Sequence, residues 1–109
     1  MKSIYRLKKN YQYNYVYKHA TSVADRHFVL LYCKSNLQQS KFGFSVSKKY
    51  GHAVQRNRIR RQMKAAASVY AGQVKSGYNV VFIPRAGVEY EYSAILASFR
   101  KLLTKAGLL

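Results

Sequence analysis

The sequence predicts a single α/β domain over residues 1–109. Three observations carry that prediction. Apolar or alternating runs at His27–Cys33, Phe42–Ser47 and Tyr78–Ile83 have the length and period of strands. Between the second and third runs, a basic stretch follows Gly51 with helical spacing. After the third, Ile95, Leu96, Phe99, Leu102 and Leu103 make the continuous apolar stripe of another helix. A chain of this size buries roughly two thirds of the surface its unfolded form exposes, enough for one core without disulfides or metals.

In order along the chain, Ile4–Lys9 is a basic lead-in ending at Asn10, a residue suited to capping a helix. Tyr11, Tyr13, Tyr15 and Tyr17 then alternate, and Tyr favours strands. The helical alternative puts Tyr13 and Tyr17 at i,i+4 with Val16 beside them. Pattern alone leans to the strand. His19–Arg26 is polar and turn-like. His27–Cys33 reads as a well-covered strand and Asn36–Ser40 as a loop. Phe42–Ser47 reads as a half-buried strand with Phe42, Phe44 and Val46 on one face and Gly43, Ser45 and Ser47 on the other. These two strands suggest a hairpin with a connection longer than two residues.

The basic helix runs from about Ala53 to about Gly72. Ile59, Met63, Ala66, Ala67 and Tyr70 share one face, and Asn57, Arg60, Arg61 and Lys64 fall on the opposite arc. Arg56 and Arg58 flank the apolar stripe near its start. Tyr78–Ile83 is a buried strand closed by Pro84, which cannot extend a ladder. Arg85–Gly87 is a loop. The last helix spans about Glu91 to Ala106. Glu89 and Glu91 lie near its positive end and Lys101 and Lys105 near its negative end, as the helix dipole favours. Gly107 suits the position after its end.

Charge narrows the function. Lys and Arg number 20 against three acids, a formal charge of +17, while 49% hydrophobic content allows a folded core. Such self-repulsion is relieved by an anionic partner, with nucleic acid the first candidate and an anionic membrane the second. From Ser45 to Lys64 the basic residues have no acidic neighbour, whereas an ordinary solvated face mixes both signs. Arg60 and Lys64 even stand at i,i+4 with like charge. Lys48, Lys49, Arg56, Arg58, Arg60, Arg61 and Lys64 can therefore contact phosphates. The tyrosines at 11, 13, 15 and 17 offer faces for unstacked bases, although a chain with 11 Tyr and no Trp must also bury several.

Self-sufficient catalysis is disfavoured. Two-metal phosphodiester cleavage needs clustered carboxylates, and the chain has only Asp25, Glu89 and Glu91. His19, His27 and His52 lack an orienting carboxylate in sequence. No phosphate loop, zinc spacing or nucleophile motif is present. Cys33 is alone and reads as a buried thiol on a strand. The start lacks the apolar core of a signal peptide, and no run approaches the roughly 20 residues that span a bilayer, so the expected location is the cytoplasm.

Ser45-Val-Ser-Lys-Lys, followed by Gly51-x-Ala-Val-x-Arg-Asn-Arg-Ile-x-Arg61, resembles the signature of the bacterial ribonuclease P protein subunit. The resemblance extends through Leu7–Asn10, Thr21–Leu30, the Tyr78–Ile83 strand, Arg85 and the terminal helix, covering most of the chain. It implies an α+β fold: one domain, a four-stranded mixed sheet with three helices and a left-handed β-α-β crossover, similar to the ribosomal protein S5 domain 2-like fold. The sequence by itself would suggest the right-handed form. The resemblance also implies that the tyrosine segment is a helix with Tyr13 and Tyr17 on its exposed side.

The function so implied is that of a protein cofactor to a catalytic RNA, which removes the 5′ leader of precursor tRNA with magnesium. The implied partners are the catalytic RNA and precursor tRNA, with no membrane and no obligate protein partner. The protein itself is expected to bind no cofactor, Mg2+ entering through the RNA. Matching positions for catalytic-RNA binding are Lys48, Lys49, Arg56, Asn57, Arg58, Arg60, Arg61 and Lys64. Those for the leader are Tyr13, Tyr17, Leu31, Tyr32, Arg56, Arg60 and Lys64. Where a strand aromatic is usual, this chain has Leu31 with Tyr32 adjacent. His52 stands where Asn is common.

Overall fold

The computed structural model describes residues 2, 5–86 and 90–109. Its elements run α1 (Asn10–His19), β1 (Thr21–Ala24), β2 (Phe28–Lys34), β3 (Lys41–Phe44), α2 (Ala53–Tyr70), β4 (Tyr78–Pro84) and α3 (Tyr92–Lys105), with a 3-10 turn at Lys48–Tyr50 before α2. The strands form one mixed sheet in the order β1-β2-β4-β3. β1 with β2 and β2 with β4 are antiparallel, and β3 with β4 is parallel. α2 thus links two adjacent parallel strands, a β-α-β unit.

The tyrosine segment is a helix. Gln12 turns its side chain back to accept the Lys8 and Lys9 N–H groups at 2.9 and 3.0 Å, satisfying donors at the helix entrance. Lys9 is the residue with extended backbone at the cap, and Asn10 is already helical, one position later than its type suggests. Only Val16 of this helix is fully buried.

Two sequence readings are corrected. The polar stretch His19–Arg26 contains β1, an edge strand whose Val23 packs on the main core while Thr21 and Ser22 stay exposed. An edge strand buried on one side only tolerates such polar residues, which is why composition hid it. The β2–β3 hairpin does not form either. β4 inserts between them and pairs with both. The loop joining β2 and β3 is held instead by Ser40, whose hydroxyl donates to the Lys75 carbonyl and accepts the Tyr78 N–H.

One sheet face carries the main core, in which Phe28, Leu30, Phe42, Val80 and Phe82 meet Ile59 and Met63 of α2 and Ile95, Phe99, Leu102 and Leu103 of α3. Phe82 stacks on Phe99 with ring centroids 3.8 Å apart. α3 ends in a Schellman turn at Gly107 (φ 78°), where Gly107 N–H donates to Thr104 and Leu108 N–H to Leu103. Leu108 is buried in the core, and its carbonyl accepts the Lys75 N–H at 2.9 Å. Glu91 is the cap residue of α3, whereas Glu89 lies outside the described residues.

The second face is covered only in part, by α1 and Leu7. Val16, Leu7 and Val81 form its buried centre, with Tyr13, Ala20, Leu31, Cys33 and Ile83 packed around them. Cys33 is half-buried there, and burial pushes its thiol up. Gly43 of β3 faces α1. A Cβ at this position would lie 2.6 Å from the Tyr13 ring and 2.9 Å from Leu7 Cδ1. Gly43→Ala should therefore cost about 1–3 kcal/mol by overpacking, read as a lower denaturation midpoint, and shift the Tyr13 environment in near-UV dichroism.

Asp25 closes the β1–β2 turn, its Oδ1 accepting the His27 and Phe28 N–H groups, both at 2.8 Å. Burial pushes its carboxyl up, but these two donors, with the Ser98 hydroxyl and His27, outweigh it and hold the carboxyl below its ordinary 3.8. A lowered folded value stabilises the fold above the unfolded pKa, and that stability is lost as pH falls through the folded one. Asp25→Asn should flatten the acid limb of a melting temperature versus pH profile.

Candidate nucleic-acid interface

The sheet register defines a groove beside α1. On the face that α1 partly covers, Ala24, Val29 and Ile83 form one cross-strand row, and Ser22, Leu31, Val81 and Gly43 form the next. Val81 is buried, while Val29, Leu31 and Ile83 stay half-exposed and form the floor. Tyr13 and Tyr17, one helical turn apart, line the α1 flank with ring centroids 6.3 Å apart. Tyr13 is half-buried and its hydroxyl accepts the Phe44 N–H at 3.3 Å, which fixes the ring over Gly43. Tyr17 is 47% exposed.

Cations gather at the β3 end of this wall. Burial, with Tyr17 adding to it, holds the Tyr13 phenol above its ordinary value, against the opposing pull of the Phe44 N–H, Arg6 and Arg60. Burial also lowers Lys64, and Arg6 and Arg60 add like-charge repulsion. Tyr13, Arg6, Arg60 and Lys64 thus share one electrostatic neighbourhood, drawn from the N-terminal segment, α1 and α2. Arg6 is carried there by a bridge to Phe42, and the next residue, Leu7, donates its N–H to the Phe42 carbonyl at 2.9 Å.

The start of α2 holds its arginines by backbone and side-chain tethers. Gln55 Oε1 accepts the His52 N–H at 2.7 Å, so His52 at the cap position leaves the helix start satisfied. Arg56 Nη1 donates to the Gly51 carbonyl at 3.1 Å. Arg60 Nη1 donates to Asn57 Oδ1 at 3.3 Å, so Asn57 orients a guanidinium.

The basic residues named from sequence do not form one cluster. Arg56, Arg60 and Lys64 follow one stripe of α2 toward Tyr13. Arg58 lies on the other flank, lining a small cleft with Tyr50, Gln55, Ile59, Gln62 and Tyr90. Asn57 and Arg61 are exposed between these flanks, and Lys48 and Lys49 are exposed on the preceding turn. Tyr32 is not at the groove: it points to the opposite face and packs on the main core, while Leu31 faces α1. The two-residue strand period separates them.

Sequence reasoning missed Val29, Ile83, Arg6 and the role of Gly43. Applying the strand period outward from Leu31 gives Val29. A lone Gly in an alternating strand marks a close approach, which gives Gly43. No periodic signal marks Arg6. Among the described residues, no three His, Cys, Asp or Glu side chains are grouped to hold a metal ion. Nor, among them, is any helix long and apolar enough to cross a membrane.

Comparison with known proteins agrees with this architecture. Residues 1–107 match the family described as Ribonuclease P. The ribonuclease P protein component of Thermoanaerobacter pseudethanolicus is 35% identical over 108 residues, covering 98% of this chain and 93% of that one. That of Carboxydothermus hydrogenoformans is 42% identical over 93 residues, covering 83% and 80%. A Staphylococcus aureus RNase P protein mutant with defective mRNA degradation activity superposes with a TM-score of 0.87 at 32% identity, covering 96% of this chain and 90% of that one. The RNase P protein from Thermotoga maritima shares the fold, with a TM-score of 0.82 at 24% identity over 92% and 96% of the two chains. Matched along nearly its whole length in sequence and in fold, the chain belongs to the ribonuclease P protein family.

Proposed function

We propose that this chain, as the protein component of ribonuclease P, binds the catalytic RNA and the 5′ leader of precursor tRNA at different surfaces of one domain. The observation that carries this reading is the groove beside α1, which has aromatic rings along one wall and cations at one end. Tyr17 and the exposed edge of Tyr13 give unpaired bases a stacking surface that reads no sequence. Arg6, Arg60 and Lys64 meet the phosphates, and the anion relieves the repulsion among them. Lys48, Lys49, Arg58 and Arg61 lie along the turn and the outer side of α2, where they suit the backbone of a folded RNA.

The protein positions and the RNA cuts. Magnesium would supply charge neutralisation at the scissile phosphate, and among the described residues no three His, Cys, Asp or Glu side chains are grouped to hold it. Asp25 commits its carboxylate to two backbone N–H groups, and the exposed Glu91 belongs to no such group among the described residues. In this reading the catalytic RNA would hold the ion.

A second reading has one observation behind it, the mRNA degradation activity named for the Staphylococcus aureus relative. Hydrolysis of RNA by the purified, RNA-free chain would favour that reading and overturn the division of labour.

Arg58→Ala with Arg61→Ala should weaken catalytic-RNA binding and flatten its salt dependence. For every phosphate no longer neutralised, the slope of log K against log salt should fall by about 0.7–0.9 in filter-binding titrations. An unchanged slope would remove this side of α2 from the docking surface.

A further inference from the structure

The groove accounts for one flank of α1 and leaves its outer surface unexplained. Going round the helix at about 100° per residue, Tyr17, Asn10, Asn14, Lys18, Tyr11 and Tyr15 follow one another on the side away from Val16. All six are exposed. Tyr11 is 71% and Tyr15 52% exposed, and neither belongs to a core cluster. Tyr15 and His19 already pair their rings, with centroids 4.3 Å apart and planes tilted by 38°. The helix contains no acidic residue. Helix formation does not call for these rings, since Ala, Glu or Lys at surface positions would favour it more.

We propose that this outer surface of α1 is a second stacking site, which takes the unpaired leader nucleotides upstream of those held in the groove. The inference rests on the leader-binding reading above. Two features bear on this occupant. Tyr17 borders the groove wall, and Asn10, Asn14 and Lys18 lie between it and Tyr11 and Tyr15 around the helix, so a strand leaving the groove crosses polar and basic side chains before it reaches those rings. The surface joins aromatic faces to Lys18 in a domain of charge +17, which suits an anionic chain carrying planar bases and repels a second copy of this protein. Binding of this kind depends on leader length and tolerates any sequence.

The test uses the ribonucleoprotein assembled from the full chain and its catalytic RNA. Its affinity is measured for precursor tRNA whose leader ends inside the groove, and for the same precursor with the leader extended by adenosines. For the wild type the extension should tighten binding about tenfold, the effect of one stacked base. Tyr11→Ala with Tyr15→Ala should erase that gain and leave the short-leader affinity unchanged. Tyr11→Phe with Tyr15→Phe should keep the gain, because the ring is retained. If the alanine pair also weakens the short leader, Tyr11→Leu with Tyr15→Leu decides by the same criterion, since it keeps apolar bulk and helix propensity without a ring. A gain that survives loss of the rings, or no gain in the wild type, overturns the second site. The groove reading then still stands if the short-leader precursor outbinds mature tRNA, and falls if it does not.

Discussion

The groove depends on a side chain that is absent. At Gly43 the sheet presents bare backbone, and the Tyr13 ring lies over it, held by the Phe44 N–H. That packing sets how closely α1 approaches β3. It also fixes where the helix stops covering the sheet, leaving Val29, Leu31 and Ile83 half-open. The same ring lies within electrostatic reach of Arg6 and Arg60, which also act on Lys64, so one close approach bears on both the shape of the groove and its charge.

Charge in this molecule is ordered before any partner arrives. Arg56 is tied to Gly51 and Arg60 to Asn57, so two guanidinium groups are held by short local bonds. Such tethers reduce the side-chain freedom given up on binding. They also hold like charges close together, which a bare domain tolerates only at some cost in stability. The opposite end of the molecule is organised differently. There Asp25, Tyr90 and Arg85 satisfy the backbone of the β1–β2 turn and of Arg85 after β4, with the Ser98 hydroxyl bonded to the Asp25 carboxylate, serving the fold.

Much of this was legible in the sequence, for identifiable reasons. α2 and α3 carry long apolar stripes, and β2 and β4 are apolar runs bounded by polar residues or proline, so period and composition agree. The basic face of α2 was equally plain. α1 was not, because Tyr at alternate positions satisfies a strand period while Tyr13 and Tyr17 satisfy a helical one. β1 was hidden by its polar composition. The false hairpin came from proximity in sequence, which cannot show that β4 will take the place between β2 and β3. The groove floor was only partly legible, since it is assembled across three strands and its face depends on that register. Arg6 was missed because it reaches the site through a single backbone bridge.

The place of β4 bears on how the chain comes to be folded. β4 is the penultimate element, yet it pairs along its length with β2 and holds β3 in the sheet. Until β4 is available, β2 and β3 each lack the neighbour that joins them, and the aromatic layer of Phe28, Phe42 and Phe44 has α2 but neither Phe82 nor α3 to close on. The sheet is therefore completed only by a strand from the last third of the chain, so its assembly depends on contacts distant in sequence.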